Sequence, residues 1–317
     1  MPDVGCAGIL VEDTFCGPMP SLPTEGSLLA LNNMVVKAGG CAANVAIDLA
    51  KQGVSVDVMG CVGRDSAADF LLKTYEANGV GHSKVVRVNE HGTSRCIILL
   101  VKGEDRRYLY VDGANKVFSA SHISRDWLAQ LKIFYLGGLF VLPGMDPDGL
   151  AGLLEFCRSR EVLTVVDVVV PQDMRGMSHL KQLLPLIDVF VPNEDEARLF
   201  TGLTDPMDQL RAFEAAGAHT VIVTCGSRGS VALSSGKRWR CGAYQMEAVD
   251  PSGSGDAFTS GVIRGMLAGW NFRRTLCYAS AIGASVTRAP GTTDTVFSAS
   301  EAEEFVASHP MTVMEEA

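Results

Sequence analysis

The segment Val249-Asp250-Pro251-Ser252-Gly253-Ser254-Gly255-Asp256-Ala257-Phe258 runs straight into an apolar helical stretch through Gly261, Val262 and Met266. A glycine-rich turn that opens a helix offers backbone N–H groups without intrahelical partners and the positive end of the helix dipole, and together these hold anions. Phosphate is the natural guest, with Gly253, Ser254 and Gly255 as the candidate donors. The same loop carries Asp256, an anion where another anion should bind. A carboxylate beside an electropositive helix start stays ionised, and there it can take the proton of a hydroxyl that attacks a bound phosphoryl group. That is kinase chemistry. On its own the loop is equally compatible with Asp256 as a plain first-turn helix acid. The sequence G-x-x-x-x-G-K-[ST] occurs nowhere, and Phe258 stands where the third glycine of G-x-G-x-x-G belongs, which argues against a nicotinamide dehydrogenase.

Two further groups of residues could bind ligands. Gly39-Gly40 ahead of a helix lets the chain pass close to a ligand, and Asn44, one turn in, offers a donor and an acceptor to sugar hydroxyls. An ordinary helix start with a solvated Asn44 has the same spacing. Pro192-Asn193-Glu194-Asp195-Glu196 gathers three carboxylates and an amide at a strand-to-helix junction. Oxygen-only ligands suit Mg²⁺, although a capped, acid-rich first turn would carry the same residues.

These residues need a scaffold that brings them to one edge. Short β-rich runs at 4–11, 54–62, 133–136, 162–170, 188–192, 219–224 and 230–233 alternate with helical periods at 41–52, 67–78, 147–159, 194–201, 207–216, 255–268, 273–287 and 300–308. That alternation predicts an α/β fold with a mostly parallel sheet covered by helices, and several of the runs are apolar on both faces, as buried parallel strands should be. Residues 28–38 and 93–111 read as strands without intervening helices, the second broken by the polar turn Lys102-Gly103-Glu104-Asp105. They predict a small inserted β-sheet. Two extra edge strands of the main sheet are the alternative.

Asp250-Pro-Ser-Gly-Ser-Gly-Asp256-Ala-Phe resembles the C-terminal signature of the ribokinase / phosphofructokinase-B carbohydrate kinases, D-[TS]-x-G-[AS]-G-D-x-F, with Pro251 in place of the usual hydroxyl residue. Gly39-Gly40-Cys41-Ala42-Ala43-Asn44-Val45-Ala46 resembles their N-terminal signature. The resemblance implies a single domain over 1–317, a three-layer αβα sandwich with a β-sheet lid formed by about 12–38 and 93–115. It implies Asp256 as catalytic base, the amides of Gly253, Ser254 and Gly255 as anion hole, and a sugar pocket of Asp13, Gly39, Gly40 and Asn44. Asn193 and Glu196 match the N-x-x-E motif associated with Mg²⁺ and phosphate, Glu196 acting on the metal indirectly. Val223-Thr224-Cys225-Gly226-Ser227-Arg228-Gly229 resembles the T-x-G-x-x-G nucleotide segment, which would place Thr224, Gly226 and Gly229 against ATP. Residues 285–291, one residue longer than the commonest form, resemble the segment that with the first signature aspartate, here Asp250, holds a monovalent cation such as K⁺. The lid of such proteins closes over the sugar and in many members pairs in a homodimer.

The resulting expectation is an ATP- and Mg²⁺-dependent kinase of a sugar or sugar-like primary alcohol. A nucleoside kinase shares the chemistry, a phosphosugar would engage Arg106-Arg107, and a sugar-sensing protein without turnover would keep the fold alone. The 317 residues suit one large domain or about two at 150 residues each. A net charge of −9 provides no global field for nucleic acid or anionic membrane. The nine cysteines form no C-x-x-C pair, the longest apolar run, 133–145, is too short for a bilayer span, and Asp3 interrupts any secretory signal. A cytoplasmic protein is expected.

Overall fold

The computed structural model describes residues 1–104, 106–171 and 174–316. The chain starts in a central strand, β1 (Val4–Gly8), and leaves it for a smaller sheet as β2 (Val11–Met19) and β3 (Met34–Gly39). It returns through α1 (Cys41–Lys51) to β4 (Val56–Met59), β5 (Cys61–Val62), α2 (Ser66–Ala77) and β6 (Val86–Arg87), then completes the smaller sheet with β7 (Arg95–Val101) and β8 (Arg107–Val111). A regular series follows: α3 (Arg125–Leu128), β9 (Ile133–Leu139), α4 (Pro147–Ser159), β10 (Leu163–Val168), β11 (Val189–Phe190), α5 (Glu194–Thr201), α6 (Pro206–Ala215) and β12 (Val221–Thr224). The hairpin β13 (Ser230–Ser234) and β14 (Lys237–Cys241), then α7 (Ser254–Leu267), α8 (Phe272–Ser285), α9 (Ala299–Ser308) and β15 (Val313–Glu316) end the fold.

The main sheet has nine strands in the order β15-β14-β13-β12-β11-β10-β9-β1-β4. The run from β12 to β4 is parallel, and β13 to β15 are antiparallel. Strand periodicity builds the layers: within β9, Phe134 and Leu136 pack with Trp127, Leu154, Phe200 and Phe213 on one face, whereas Ile133 and Tyr135 pack with Leu49, Leu71, Ile263 and Leu276 on the other. The sandwich is therefore αβα, as expected. From β1 the chain crosses first to β4 on one side and later to β9 on the other, so the direction of winding reverses between β1 and β9. Open α/β sheets bind ligands beyond the carboxyl ends of strands at such a switch point.

The smaller sheet, β3-β2-β7-β8, is separate from the main one, so residues 28–38 and 93–111 do not form edge strands of the main sheet. Its strands differ in detail from the sequence expectation. The run 4–11 divides at Gly8 (φ 141°), whose position would bring a Cβ within 2.1 Å of the Gly137 carbonyl oxygen. Beyond it the chain enters β2, hidden in the sequence by the adjacent acids Glu12 and Asp13 and by Gly17-Pro18. β3 begins only at Met34, and 54–62 divides into β4 and β5. Asp105 of the expected polar turn lies outside the described residues. β14 and β15 were not expected, because Lys237, Arg238 and Arg240, paired with Glu315, Glu214 and Glu316, read as solvated surface.

Candidate active site

Gly253 caps α7 with a left-handed backbone (φ 77°), and a Cβ there would lie 2.2 Å from the Thr292 carbonyl oxygen. Only glycine makes this turn without moving its neighbour. The amide of Ser254 closes the turn on the Pro251 carbonyl at 3.2 Å, while those of Gly253, Gly255 and Asp256 have no hydrogen-bond partner among the described residues. The amides left free to meet an anion therefore include that of Asp256, whereas that of Ser254 is already engaged.

The Asp256 carboxylate is half-buried at this helix start. Asn44 Nδ2 donates to its Oδ2 at 2.7 Å, and the Cys41 thiol also donates to it. α1 reaches it because Ala42, Ala43 and Ala46 are buried and small, and farther along Gln52 Nε2 donates to Ser260 Oγ of α7 at 2.8 Å. Burial raises the Asp256 carboxyl above its ordinary value, and the hydrogen bonds from Asn44 and Cys41 oppose that rise.

Three more carboxyls share the crevice. Asp13, from β2, is buried and pushed up to about 7 by burial and by the charge of Asp256. Its Oδ2 lies 1.8 Å from where a Cβ at position 39 would stand, so Gly39 is required by the aspartate itself. Asp167, at the carboxyl end of β10, accepts from Gly138 N at 2.7 Å and from the Tyr135 hydroxyl. Burial and Asp256 hold it up at about 8. Glu196 is raised to about 8 by burial and by the neighbouring carboxylates Asp167, Asp256 and Asp195, against the hydrogen bond from Asn193 N. Atoms of Cys41, Asp167 and Asp256 lie within 4.8 Å of one another. Oxygen donors that crowd until they retain protons suit a hard divalent cation. Asp167, in that cluster, is placed to hold one, and Glu196 is placed to act on it indirectly.

The other expected residues gather around this centre. Asn193 Oδ1 accepts from Asp195 N and Glu196 N, both at 2.9 Å, in a capping box, so the capped first turn and the acidic cluster coexist. Thr224 bridges to Asn193, its N–H donating to the Pro192 carbonyl at 3.0 Å. Gly226 and Gly229 bound the short helical turn between β12 and β13. Asp250 Oδ1 accepts from Ser252 N at 2.9 Å and Ser252 Oγ at 2.7 Å, and Oδ2 from Gly291 N at 3.3 Å, so the first signature aspartate and the 285–291 segment do meet. Arg106, just before β8, donates to Ser252 Oγ at 2.8 Å and stands 3.8 Å from Asp250 Oδ1. Arg107 pairs instead with Glu104 at the surface.

Register in the smaller sheet assigns its two faces. Lys37, Asp13, Cys96 and Tyr110 are aligned across β3, β2, β7 and β8, and the row of Val35, Phe15, Ile98 and Tyr108 shares that face. The row Val36, Thr14, Ile97 and Leu109 points the opposite way, with Leu109 58% exposed. The sequence reading overlooked Asp167 and Cys41. An acid inside the run 162–170 was the available signal for the first, and the place of Cys41 directly after the diglycine was the signal for the second.

A model of the pfkB family carbohydrate kinases matches residues 3–298. The chain belongs to this family. Among its curated relatives are the ATP-dependent 6-phosphofructokinase of Thermoanaerobacterium thermosaccharolyticum, 26% identical over 80% of each chain, and the ribokinase of Haemophilus influenzae, 25% identical over 85% of this chain and 88% of the relative. The adenosine kinase of Schizophyllum commune is 29% identical over 83% and 82%. The ribokinase of Arabidopsis thaliana, solved with ribose and ATP, superposes with a TM-score of 0.83 at 22% identity, covering 96% of this chain and 98% of that one. An E. coli protein described as a ribokinase II, solved with ATP and Mg²⁺, gives 0.81 at 20%, covering 98% and 100%. The fold is thus ribokinase-like, and this pfkB-family protein is a phosphotransferase acting on an alcohol, of the carbohydrate and nucleoside kinase type. No helix among the described residues is long and apolar enough to cross a membrane.

Proposed function

We propose that the protein transfers the γ-phosphoryl group of ATP to a primary hydroxyl of a sugar or sugar-like alcohol. The observation that carries this reading is the coincidence, at one helix start, of the Asp256 carboxylate with the unpartnered amides of Gly253, Gly255 and Asp256. Asp256 takes the hydroxyl proton as the oxygen bonds to phosphorus. The bond from phosphorus to the bridging oxygen of ADP breaks, leaving ADP and a phosphomonoester. Amides aimed at the transferring group stabilise its charge without reorganising, and phosphoryl transfer asks for little beyond such positioning and electrostatics. Mg²⁺ bound with the nucleotide would supply further charge neutralisation, with Asp167 as the residue to hold it and Glu196 acting on it indirectly.

Asn44 holds Asp256 through Nδ2, and its buried Oδ1 is unpartnered, an acceptor suited to a substrate hydroxyl. Asp13 and Asn44 flank Gly39 and Gly40 beneath the smaller sheet, which we read as a lid over residues 12–38 and 93–115. Thr224, Gly226, Gly229 and Asn193 form the nucleotide side. Asp250 and the 285–291 segment are read as a K⁺ site next to the anion loop, and the outward row of Val36, Ile97 and Leu109 as a homodimer surface.

Tyr108 and Tyr110, on the same lid face as Asp13, favour one second reading, since aromatic rings stack on a nucleobase as readily as on a sugar face. Release of ADP measured over pentoses, hexoses, ketoses, sugar acids and nucleosides separates the two. Turnover with a sugar supports the first reading, turnover with nucleosides alone selects the second, and ADP release with none of them rejects both in favour of a binding protein.

A further inference from the structure

Two of the nine cysteines meet far from any sequence motif. Cys241 ends β14 and is 1% exposed, whereas Cys277, in the second turn of α8, is half-buried with one side open to solvent. The helix is docked on the strand at this point, because Ser280, one turn beyond Cys277, donates from Oγ to the Gly242 carbonyl at 3.2 Å. The Cys241 thiol donates to Met311 Sδ at 3.3 Å, and the Cys277 sulfur is its other sulfur neighbour. Three sulfur atoms thus collect where β14, α8 and the chain leading into β15 join.

The two thiols are not equivalent. The neighbouring Cys241 thiol and the charge of Arg273, one turn earlier on α8, hold the Cys277 thiol below its ordinary value against the opposing effect of burial. Cys241, donating and buried, is raised. A partly exposed thiolate beside a cation, with a second thiol in contact, has the geometry of an attacking and a resolving cysteine. The remaining cysteines lack this combination: Cys6, Cys16, Cys61, Cys96, Cys157 and Cys225 are buried, and Cys41 is raised among carboxylates.

We propose that Cys277 and Cys241 form a peroxide-responsive dithiol that closes reversibly to a disulfide between α8 and β14. The Cys277 thiolate attacks one oxygen of hydrogen peroxide. The O–O bond breaks, the departing hydroxide takes a proton to become water, and Cys277 becomes a sulfenic acid. The Cys241 sulfur then attacks the Cys277 sulfur, the S–O bond breaks, and a second water leaves with the Cys241 proton. The two sulfurs together lose two electrons, and the peroxide gains them. A dithiol reductant reverses the bond.

Treating the native protein with hydrogen peroxide near neutral pH, blocking residual thiols and mapping peptides tests this. The expected product is one linked peptide joining Cys241 to Cys277, removed by dithiothreitol, while Cys41 stays alkylatable. In Cys241→Ser, Cys277 should stop at the sulfenic acid and label with dimedone. In Cys277→Ser no such link should appear. Cys277 remaining a free thiol in the folded, peroxide-treated wild-type chain, or bridging to a cysteine other than Cys241, overturns the proposal, and neither result depends on a variant folding.

Discussion

Asn44 Nδ2 donates to Asp256 Oδ2 at 2.7 Å, joining positions 212 residues apart in the chain. The bond crosses from α1, which the diglycine introduces beside β2, to the helix start that carries the unpartnered amides. One amide group therefore fixes the proposed base relative to both the proposed substrate side and the proposed phosphate side of the crevice. Small residues on α1 allow this contact, and burial of the carboxylate strengthens it.

Asp256→Asn keeps the size of the side chain and can still accept from Asn44 through its carbonyl oxygen, but it removes the base. Turnover should fall by roughly a hundred- to ten-thousand-fold, the usual range for a lost general base. Affinity for ATP, measured by calorimetry, should stay within about threefold if the amides rather than the carboxylate hold the phosphates. Near wild-type turnover in a coupled ADP assay would remove Asp256 from the mechanism.

The crowded carboxyls make stability depend on pH in a particular direction. Asp13 is raised to about 7, and Asp167 and Glu196 to about 8. The native state therefore binds their protons more tightly than the unfolded chain does, a contribution that is complete below the unfolded carboxyl range near pH 4 and lost as pH rises through those values. The melting temperature without divalent cation should fall between about pH 5 and 8. Asp167→Asn should flatten the fall, and Mg²⁺ should oppose it at the upper end. A profile equally steep in Asp167→Asn would contradict the assignment of that group.

Much of this arrangement is legible in the sequence. The helix 194–201 and the loop before Asp256 followed from caps, glycines and period, because those signals are local. The smaller sheet was harder. β2 carries Asp13 and Gly17-Pro18 within it, and its strand character comes from pairing with β3 and β7, which lie elsewhere in the chain. Asp167 and Cys41 escaped notice because each sits within a buried apolar segment, and only the convergence of β10, α1 and α7 gives them a shared neighbour in Asp256. Arg106 is visible as a charge, but its reach to Ser252 depends on how the smaller sheet lies over the loop before α7.

That reach bears on the proposed K⁺ site. Asp250 Oδ1 stands 3.8 Å from the Arg106 guanidinium while it accepts from Ser252, so Arg106 and an alkali cation would draw on the same carboxylate. K⁺ should raise turnover above that in Na⁺ at constant ionic strength, and Arg106→Gln should enlarge the ratio by removing the competing charge. A flat response in both proteins would leave Asp250 as a loop-ordering acceptor with no cation role.

The lid presents the last test. Its outward row of Val36, Thr14, Ile97 and Leu109, with Val111 (63% exposed) on the same face, sets four aliphatic side chains around one threonine on a four-stranded sheet. Isolated apolar side chains are common on protein surfaces, but a contiguous row on a sheet face is a surface that association would bury. Sedimentation of the wild-type protein at micromolar concentration should give a dimer, and Ile97→Lys, which places a charge in the middle of the row, should shift it towards monomer. A wild-type monomer would refute the shared face. The inner face makes a separate demand, since Asp13 and Tyr110 lie on one row across it. Amide exchange in 95–101 and 107–111 should slow when the substrate identified by ADP release is added, because closure removes those strands from solvent. Unchanged exchange at saturating substrate would mean that the sheet does not cover the site, whatever the oligomeric state.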